Sequence, residues 1–253
     1  MDITQILLYA FIFALGLVVG SFLNVCIYRI PLKKSISFPP SSCTNCGKKL
    51  SPLELIPVIS YMLLRGRCRG CGAGISIKYP VVELLTGFLF IWVFSVLGFS
   101  TVFLKYAVLT CILLVVSFID LEHQIIPDEI VIFSLAAGAV LNIMSRDVSL
   151  KSAGIGFFAA SGILLLIAII TKGGMGGGDI KLMAAVGLFI GTGPVLLGLF
   201  LSFIIGGVIS LILIILKLKG RKDYIPFGPF LSIGSLVSAL FYNQIIYWYV
   251  MRL

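Results

Sequence analysis

Three observations predict an all-α polytopic membrane protein with about eight transmembrane helices and a small cysteine-bearing lobe between the first two. Of 253 residues, 60% are hydrophobic and 11% charged, and mean hydropathy is +1.17. Soluble domains run near half apolar and about a quarter charged. Several apolar runs exceed the ~18 residues expected of a bilayer-spanning helix. One polar stretch of any size, 29–80, interrupts them. Backbone in lipid must satisfy its own hydrogen bonds, which favours helices over open sheets.

The first span is 3–28. Asp2 stands where a secretory signal would carry basic residues, and no small-residue cleavage site follows, so the span is expected to be retained. The remaining spans are expected at 81–97, 99–119, 125–144, 153–171, 174–193, 195–216 and 225–250. The resulting division is a first span (1–28), a lobe (29–80) and a seven-span domain (81–253). The sixth span is the awkward one. Only nine residues separate Lys181 from the Gly191-Thr192-Gly193-Pro194 turn. It must therefore start near Gly174, placing Asp179 roughly 8 Å inside at 1.5 Å per residue, or stop short of crossing. The fourth span is similarly short unless 125–129 is included.

Net charge is +9, yet its placement argues against nucleic acid. Arg29, Lys33, Lys34, Lys48, Lys49, Arg65, Arg67, Arg69 and Lys78 lie in the first connection. Lys172 and Lys181 follow in the fifth, and Lys217, Lys219, Arg221 and Lys222 in the seventh. The other side carries only Lys105, Arg146, Lys151 and Arg252. Positive loops stay cytoplasmic, so the amino terminus is expected outside, with the bilayer as partner.

The lobe holds Cys43-Thr44-Asn45-Cys46 and Cys68-Arg69-Gly70-Cys71, separated by 21 residues. Two such turns can offer four thiolates tetrahedrally to one zinc ion. Gly47 and Gly72 suit turns that aim amides at sulfur. Two disulfides are the alternative, but the charge count puts this lobe in a reducing compartment. A four-thiolate site has no open position, so the metal would be structural. Cys26 and Cys111 lie in apolar spans and read as packing residues.

Two carboxylates stand out. Asp120 closes an apolar run, and Asp179 ends the loop Gly173-Gly174-Met175-Gly176-Gly177-Gly178. Both fall on the expected cytoplasmic side. Intramembrane acids mark functional sites, and paired carboxylates activate water. Gly176 and Gly178 lack Cβ bulk, so an extended substrate backbone can approach Asp179. Asp128 and Glu129 read as first-turn helix acids, and His123 as a solvated loop residue. Pro226-Phe227-Gly228-Pro229 opens the last span and is expected to shape a cavity wall. A proton-coupled transporter using the same acids is the competing class, but no inverted repeat is present and transport does not explain a zinc lobe. A non-catalytic assembly protein leaves the paired aspartates unexplained.

These residues carry a family resemblance. Gly20-Ser21-Phe22-Leu23-Asn24-Val25, Tyr28-Arg29-Ile30-Pro31, both CxxC pairs, Tyr79-Pro80-Val81-Val82-Glu83-Leu84-Leu85-Thr86-Gly87, Asp120 with Pro127-Asp128, Gly176-Gly177-Gly178-Asp179-Ile180-Lys181-Leu182 and Pro226-Phe227-Gly228-Pro229 run along nearly the whole chain. Together they resemble the bacterial type IV prepilin peptidases, which serve type IV pili, type II secretion and competence pseudopili. The resemblance implies a bacterial inner-membrane enzyme that cleaves prepilin or pseudopilin leaders at the cytoplasmic face. Cleavage would follow a glycine and usually precede a phenylalanine, with Asp120 and Asp179 as the catalytic pair. Members with this lobe also methylate the new amino terminus with S-adenosylmethionine. Glu83 is a candidate to hold that amine. No glycine-rich nucleotide fingerprint is present.

Overall fold

The computed structural model describes residues 2–220 and 223–252. Arg221 and Lys222, counted above among the orienting charges, lie outside the described residues. The described residues are helical, with two isolated β-bridges in the lobe. The helices are α1 (Ile3–Arg29), α2 (Ile59–Leu63), α3 (Lys78–Leu97), α4 (Thr101–His123), α5 (Asp128–Ser145), α6 (Leu150–Ile170), α7 (Gly177–Ile190), α8 (Thr192–Ile215) and α9 (Gly228–Val250). Among the described residues, all but α2 and α7 are long and apolar enough to cross a membrane, which makes seven candidate spans. The sixth expected span is α7, whose 14 residues reach only about 21 Å. It begins at Gly177 and stops short.

The ends of the helices follow local chemistry. The Ser100 hydroxyl accepts the Phe103 amide at 3.1 Å and starts α4, and Ser149 caps α6 in the same way. Gln124, left-handed at φ 56°, ends α4 by donating its N–H to the Asp120 carbonyl. The chain from Ile125 to Pro127 is not helical, so α5 starts later than expected, at Asp128. Proline lacks an N–H and pushes its predecessor out of the α region, which forbids a continuous turn there. α3 starts earlier than expected, at Lys78, because its proline, Pro80, falls in the first turn, where no N–H is needed.

The chain divides by packing into Met1–Phe99 and Ser100–Leu253. The second span thus groups with the first, whereas the sequence grouped it with the later ones. Close helix contact is the reason. A Cβ on Gly16 would stand 2.7 Å from the Gly87 Cα, and one on Gly20 2.7 Å from the Glu83 Cα. Small residues four apart let α1 and α3 pack backbone to backbone, which drives association where lipid supplies no hydrophobic force. The Asn24 side chain donates to the Tyr79 carbonyl at 3.0 Å and extends the antiparallel seam.

In the second unit α7 is the centre, packed by α4, α5, α6, α8 and α9. Gly187 rests on the Gly156 backbone of α6, and Gly138 of α5 leaves room for the Phe189 ring. Because α7 ends inside the protein, its last carbonyls need donors. Asn142 of α5 donates to the Leu188 carbonyl at 2.8 Å. The Ser152 hydroxyl accepts from the Thr192 amide at 3.1 Å. Asn142 in turn accepts from Lys105, a fully buried lysine that also pairs with Asp147 at 2.7 Å. Apolar side chains on α6 and α8, including Phe158, Ile169, Phe200 and Leu211, face outward as a lipid-exposed belt needs.

Candidate active site and metal centre

Asp179 sits in the first turn of α7 because Gly176 is the N-cap in an extended conformation (φ −69°, ψ 137°). Its carboxylate folds back to accept the Gly176 backbone N–H, a third-position acid closing on its own cap. A Cβ on Gly176 would stand 2.8 Å from Asp179 Oδ2. Glycine is required there by the carboxylate itself. Gly178 faces elsewhere: its Cβ would strike Ile126, at 2.8 Å, in the α4–α5 connection. Gly177 has nothing within 4 Å and leaves one side of the turn open.

Asp120 lies in the last turn of α4. Its Oδ2 accepts the Gly228 N–H at 2.8 Å, and a Cβ on Gly228 would sit 2.8 Å from that oxygen. Gly228 is the first residue of α9, so the carboxylate occupies an unsatisfied helix N-terminus. Each aspartate is therefore held by the first amides of a helix, Asp179 by its own and Asp120 by that of α9. Both are buried, at 3% and 4% exposure, and near enough for one charge to act on the other. Tyr224, in the connection before α9, senses both: partial burial and then the charges of Asp120 and Asp179 push its phenol above its ordinary value. Leu121, Gln124, Ile209, Leu213, Lys219, Ile225, Pro226, Pro229 and Phe230 line an adjoining, mostly apolar groove of about 370 Å³.

The roles of Gly228 and Tyr224 were not legible in the sequence. For Gly228 a signal existed, a glycine wedged in Pro226-Phe227-Gly228-Pro229, but it read only as a cavity wall. For Tyr224 there was none. Asp128 forms an exposed 2.7 Å ion pair with Lys181, tying the first turn of α5 to the second turn of α7. His123 is exposed in the last turn of α4.

In the lobe, Cys43, Cys46, Cys68 and Cys71 place their Sγ atoms within 4.8 Å of one another. The two CxxC turns are built alike. Gly47 N–H donates to the Cys43 carbonyl and Gly72 N–H to the Cys68 carbonyl, both at 2.9 Å. Both glycines are left-handed, at φ 70° and 72°, which a side chain would strain. The bridges Ser42–Lys49 and Arg67–Gly74 close the two turns. The Ala73 amide and the Asn45 side chain lower the Cys71 thiol to about 6. The Lys48 amide also favours the Cys46 thiolate, but hydrogen bonds with the Cys71 and Cys43 sulfurs help push it up to about 11. Four sulfurs this close cannot all ionise without a cation among them. The donor set fits a tetrahedral thiophilic metal.

Glu83 is elsewhere in the first unit. It is 7% exposed. Its carboxylate accepts the Val58 N–H at 2.7 Å and a hydrogen bond from the Ser21 side chain. Cys26 is buried and Cys111 half-buried, both within apolar helices.

A polytopic helical membrane protein with two buried, helix-capped aspartates and a four-cysteine lobe is the class this fold and site define. The sequence matches the bacterial peptidase A24 N-terminal domain over residues 14–97 and the type IV leader peptidase family over residues 107–211. It is 35% identical to a prepilin leader peptidase/N-methyltransferase of Aeromonas hydrophila, covering 96% of this chain and 94% of that one. The protein of that name from Bacillus subtilis (strain 168) is 35% identical over 94% of this chain and 96% of its own length. The one from Pseudomonas aeruginosa is 34% identical over 91% and 90%. No solved structure matches. The chain belongs to the type IV leader peptidase family, as its motifs led one to expect.

Proposed function

We propose that this protein is the prepilin peptidase its relatives' names describe, with Asp120 and Asp179 as the catalytic pair. The observation that carries the proposal is the pairing itself: two buried carboxylates from opposite ends of α4 and α7, each clamped by a glycine amide. Two carboxylates at close range do not both ionise readily. The protonated one donates to the scissile carbonyl oxygen, while the ionised one takes a proton from the attacking water. The water oxygen adds to the carbonyl carbon, and collapse breaks the C–N bond as the amine leaves with a proton from the dyad. The pair titrates jointly, so neither role belongs to one residue. The groove beside Asp120, apolar apart from Gln124 and Lys219, suits a hydrophobic side chain of a pilin segment. The site opens to the cytoplasm of a bacterial inner membrane, with the amino terminus outside, on the strength of the Lys and Arg asymmetry.

The lobe binds one structural zinc through Cys43, Cys46, Cys68 and Cys71. When bound, the ion supplies charge that holds all four sulfurs as thiolates and so fixes the two turns. Methylation of the new amino terminus from S-adenosylmethionine is proposed from the relatives' names alone. Glu83 remains the candidate to hold the amine: Val58 and Ser21 donate to its carboxylate, and a carboxylate can accept further hydrogen bonds.

The test is cleavage of a prepilin-like peptide by the purified chain in detergent. Asp120→Asn and Asp179→Asn should each abolish cleavage while the protein still inserts and purifies normally. Substantial turnover by either variant would sink the dyad.

A further inference from the structure

One surface of the first unit is unexplained by either the dyad or the metal. The segment Pro52–Leu55, a short 3-10 helix, and α2 expose Leu53 (71%), Met62 (71%) and Leu63 (78%), with Ile56 and Ile59 beside them. Ile59, Met62 and Leu63 stand at i, i+3 and i+4, one face of α2. α2 has only five residues, too few to persist as an isolated helix in water. Contiguous apolar patches of this kind mark an interaction site.

The height of this segment is set by Glu83. The carboxylate that accepts the Val58 N–H belongs to a residue five positions inside α3 from Lys78, about 8 Å along the axis. Glutamate leans toward its helix N-terminus, so Val58 lies below the Lys78 level by up to that distance. α1 runs antiparallel alongside, with Gly20 opposite Glu83 and Asn24 opposite Tyr79. Arg29 therefore ends α1 on the same side as Lys78. Basic residues at helix ends mark the headgroup level. Val58 has φ 62° and ψ −50°, a region a β-branched residue enters only when its surroundings force it. The turn is thus pinned at that depth. Irregular backbone there needs internal partners, and Glu83 supplies one.

We propose that the segment from Pro52 to Leu63 is an interfacial membrane element, its apolar face set into the headgroup–acyl boundary of the leaflet that the lobe adjoins. Amphipathic elements of this kind bury about 5–10 Å into that boundary, the depth the Glu83 contact allows. Charge agrees. Lys33, Lys34, Arg65 and Arg67 are exposed, and Glu54, tied to Lys48 at 3.1 Å, is the one acid between residues 30 and 77. Such a surface complements anionic headgroups. α1 and α3 also expose apolar side chains, Phe22 and Val81 among them, as lipid-facing helices of the same unit do. The lobe is moored to lipid along one side and does not float on a tether.

Depth-dependent quenching tests this in the full chain. In a background with Trp92→Phe and Trp248→Phe, Met62→Trp, Leu63→Trp and Leu53→Trp each place one indole on the patch. These positions are so exposed that the larger ring meets no packing. The proteins are reconstituted into phosphatidylethanolamine–phosphatidylglycerol vesicles, with or without bromine near the headgroup end of the acyl chain. Strong quenching by brominated lipid, with protection from aqueous iodide, is the expected result. Quenching by iodide alone would mean a solvated surface. Protection from both would mean a face covered by protein. Either overturns the proposal.

Discussion

At the scale of single residues, the dyad depends on two glycines as much as on its carboxylates. A methyl group on Gly228 or Gly176 would displace the oxygen each amide holds. Misplacing a reacting group by about 1 Å costs on the order of 10²-fold in rate. Gly228→Ala and Gly176→Ala should each lose about 10²-fold in kcat for peptide cleavage. Gly177→Ala, which meets nothing within 4 Å, should retain near-normal activity. Equal losses in all three would point to a general need for loop flexibility instead. Away from the site, Lys105 is fully buried against Asp147, whose side chain is 20% exposed. Asp147→Asn leaves a buried ammonium without its counter-charge, which costs about 3–5 kcal/mol, the lower end applying to a partly exposed partner. Thermal unfolding in detergent reads this directly. The same pair sets an acid limit. Burial alone would raise the Asp147 carboxyl, but hydrogen bonds from Lys105 and Ser145 outweigh it and hold it below its ordinary value. Because the folded value lies below the unfolded one, the stabilisation is complete above the unfolded carboxylate range. It is lost as pH falls through the folded value. The Asp147→Asn protein should lack this acid-dependent step.

At the scale of elements, α7 is short because it works as a buried post. A spanning helix must satisfy lipid at both ends, whereas α7 is enclosed by five others and caps its carbonyls with Asn142. Its position transmits directly to Asp179 in its first turn. Gly187→Ala would force α6 and α7 apart at their closest backbone contact. Overpacking of this kind costs about 1–3 kcal/mol. The expected outcome is a lowered midpoint of thermal unfolding together with lost cleavage. Loss of stability with full activity would show that α7 does not position the aspartate. The Asp128–Lys181 pair steadies the same end of α7, but it is exposed on both sides and contributes little.

At the scale of the whole molecule, the two units carry separable chemistry. The proposed dyad lies in the second unit, while the two CxxC turns lie wholly in the first. Purified protein should contain one zinc per chain, and Cys43→Ser should lower that content. Stripping the metal should leave the lobe open to proteases while the spanning helices stay protected, since metal binding and folding of such a lobe are linked. Methyl transfer uses a deprotonated amine and a sulfonium, not an activated water. An Asp179→Asn protein given an already cleaved pilin should therefore still add a methyl group, read as a mass shift at the pilin amino terminus. Absence of that shift with the unaltered chain, under complete cleavage, would mean a peptidase only.

Much of this was decided by composition and spacing. Apolar runs of spanning length give helices in lipid whatever surrounds them, because each satisfies its own backbone. The cysteine cluster was legible because each CxxC turn is local and two such turns supply the four ligands of one metal. Asp120 and Asp179 stood out because a carboxylate at the end of an apolar run is costly unless used. What lay beyond the sequence was everything set by contacts between distant positions. Gly228 clamps Asp120 across 108 positions, and the Val58 N–H reaches Glu83 across 25. Gly16 and Gly20 draw the second span to the first, and Gly178 turns to Ile126 rather than to open space. No local pattern encodes these choices. They follow from which helix faces meet, and that is a property of the folded chain alone.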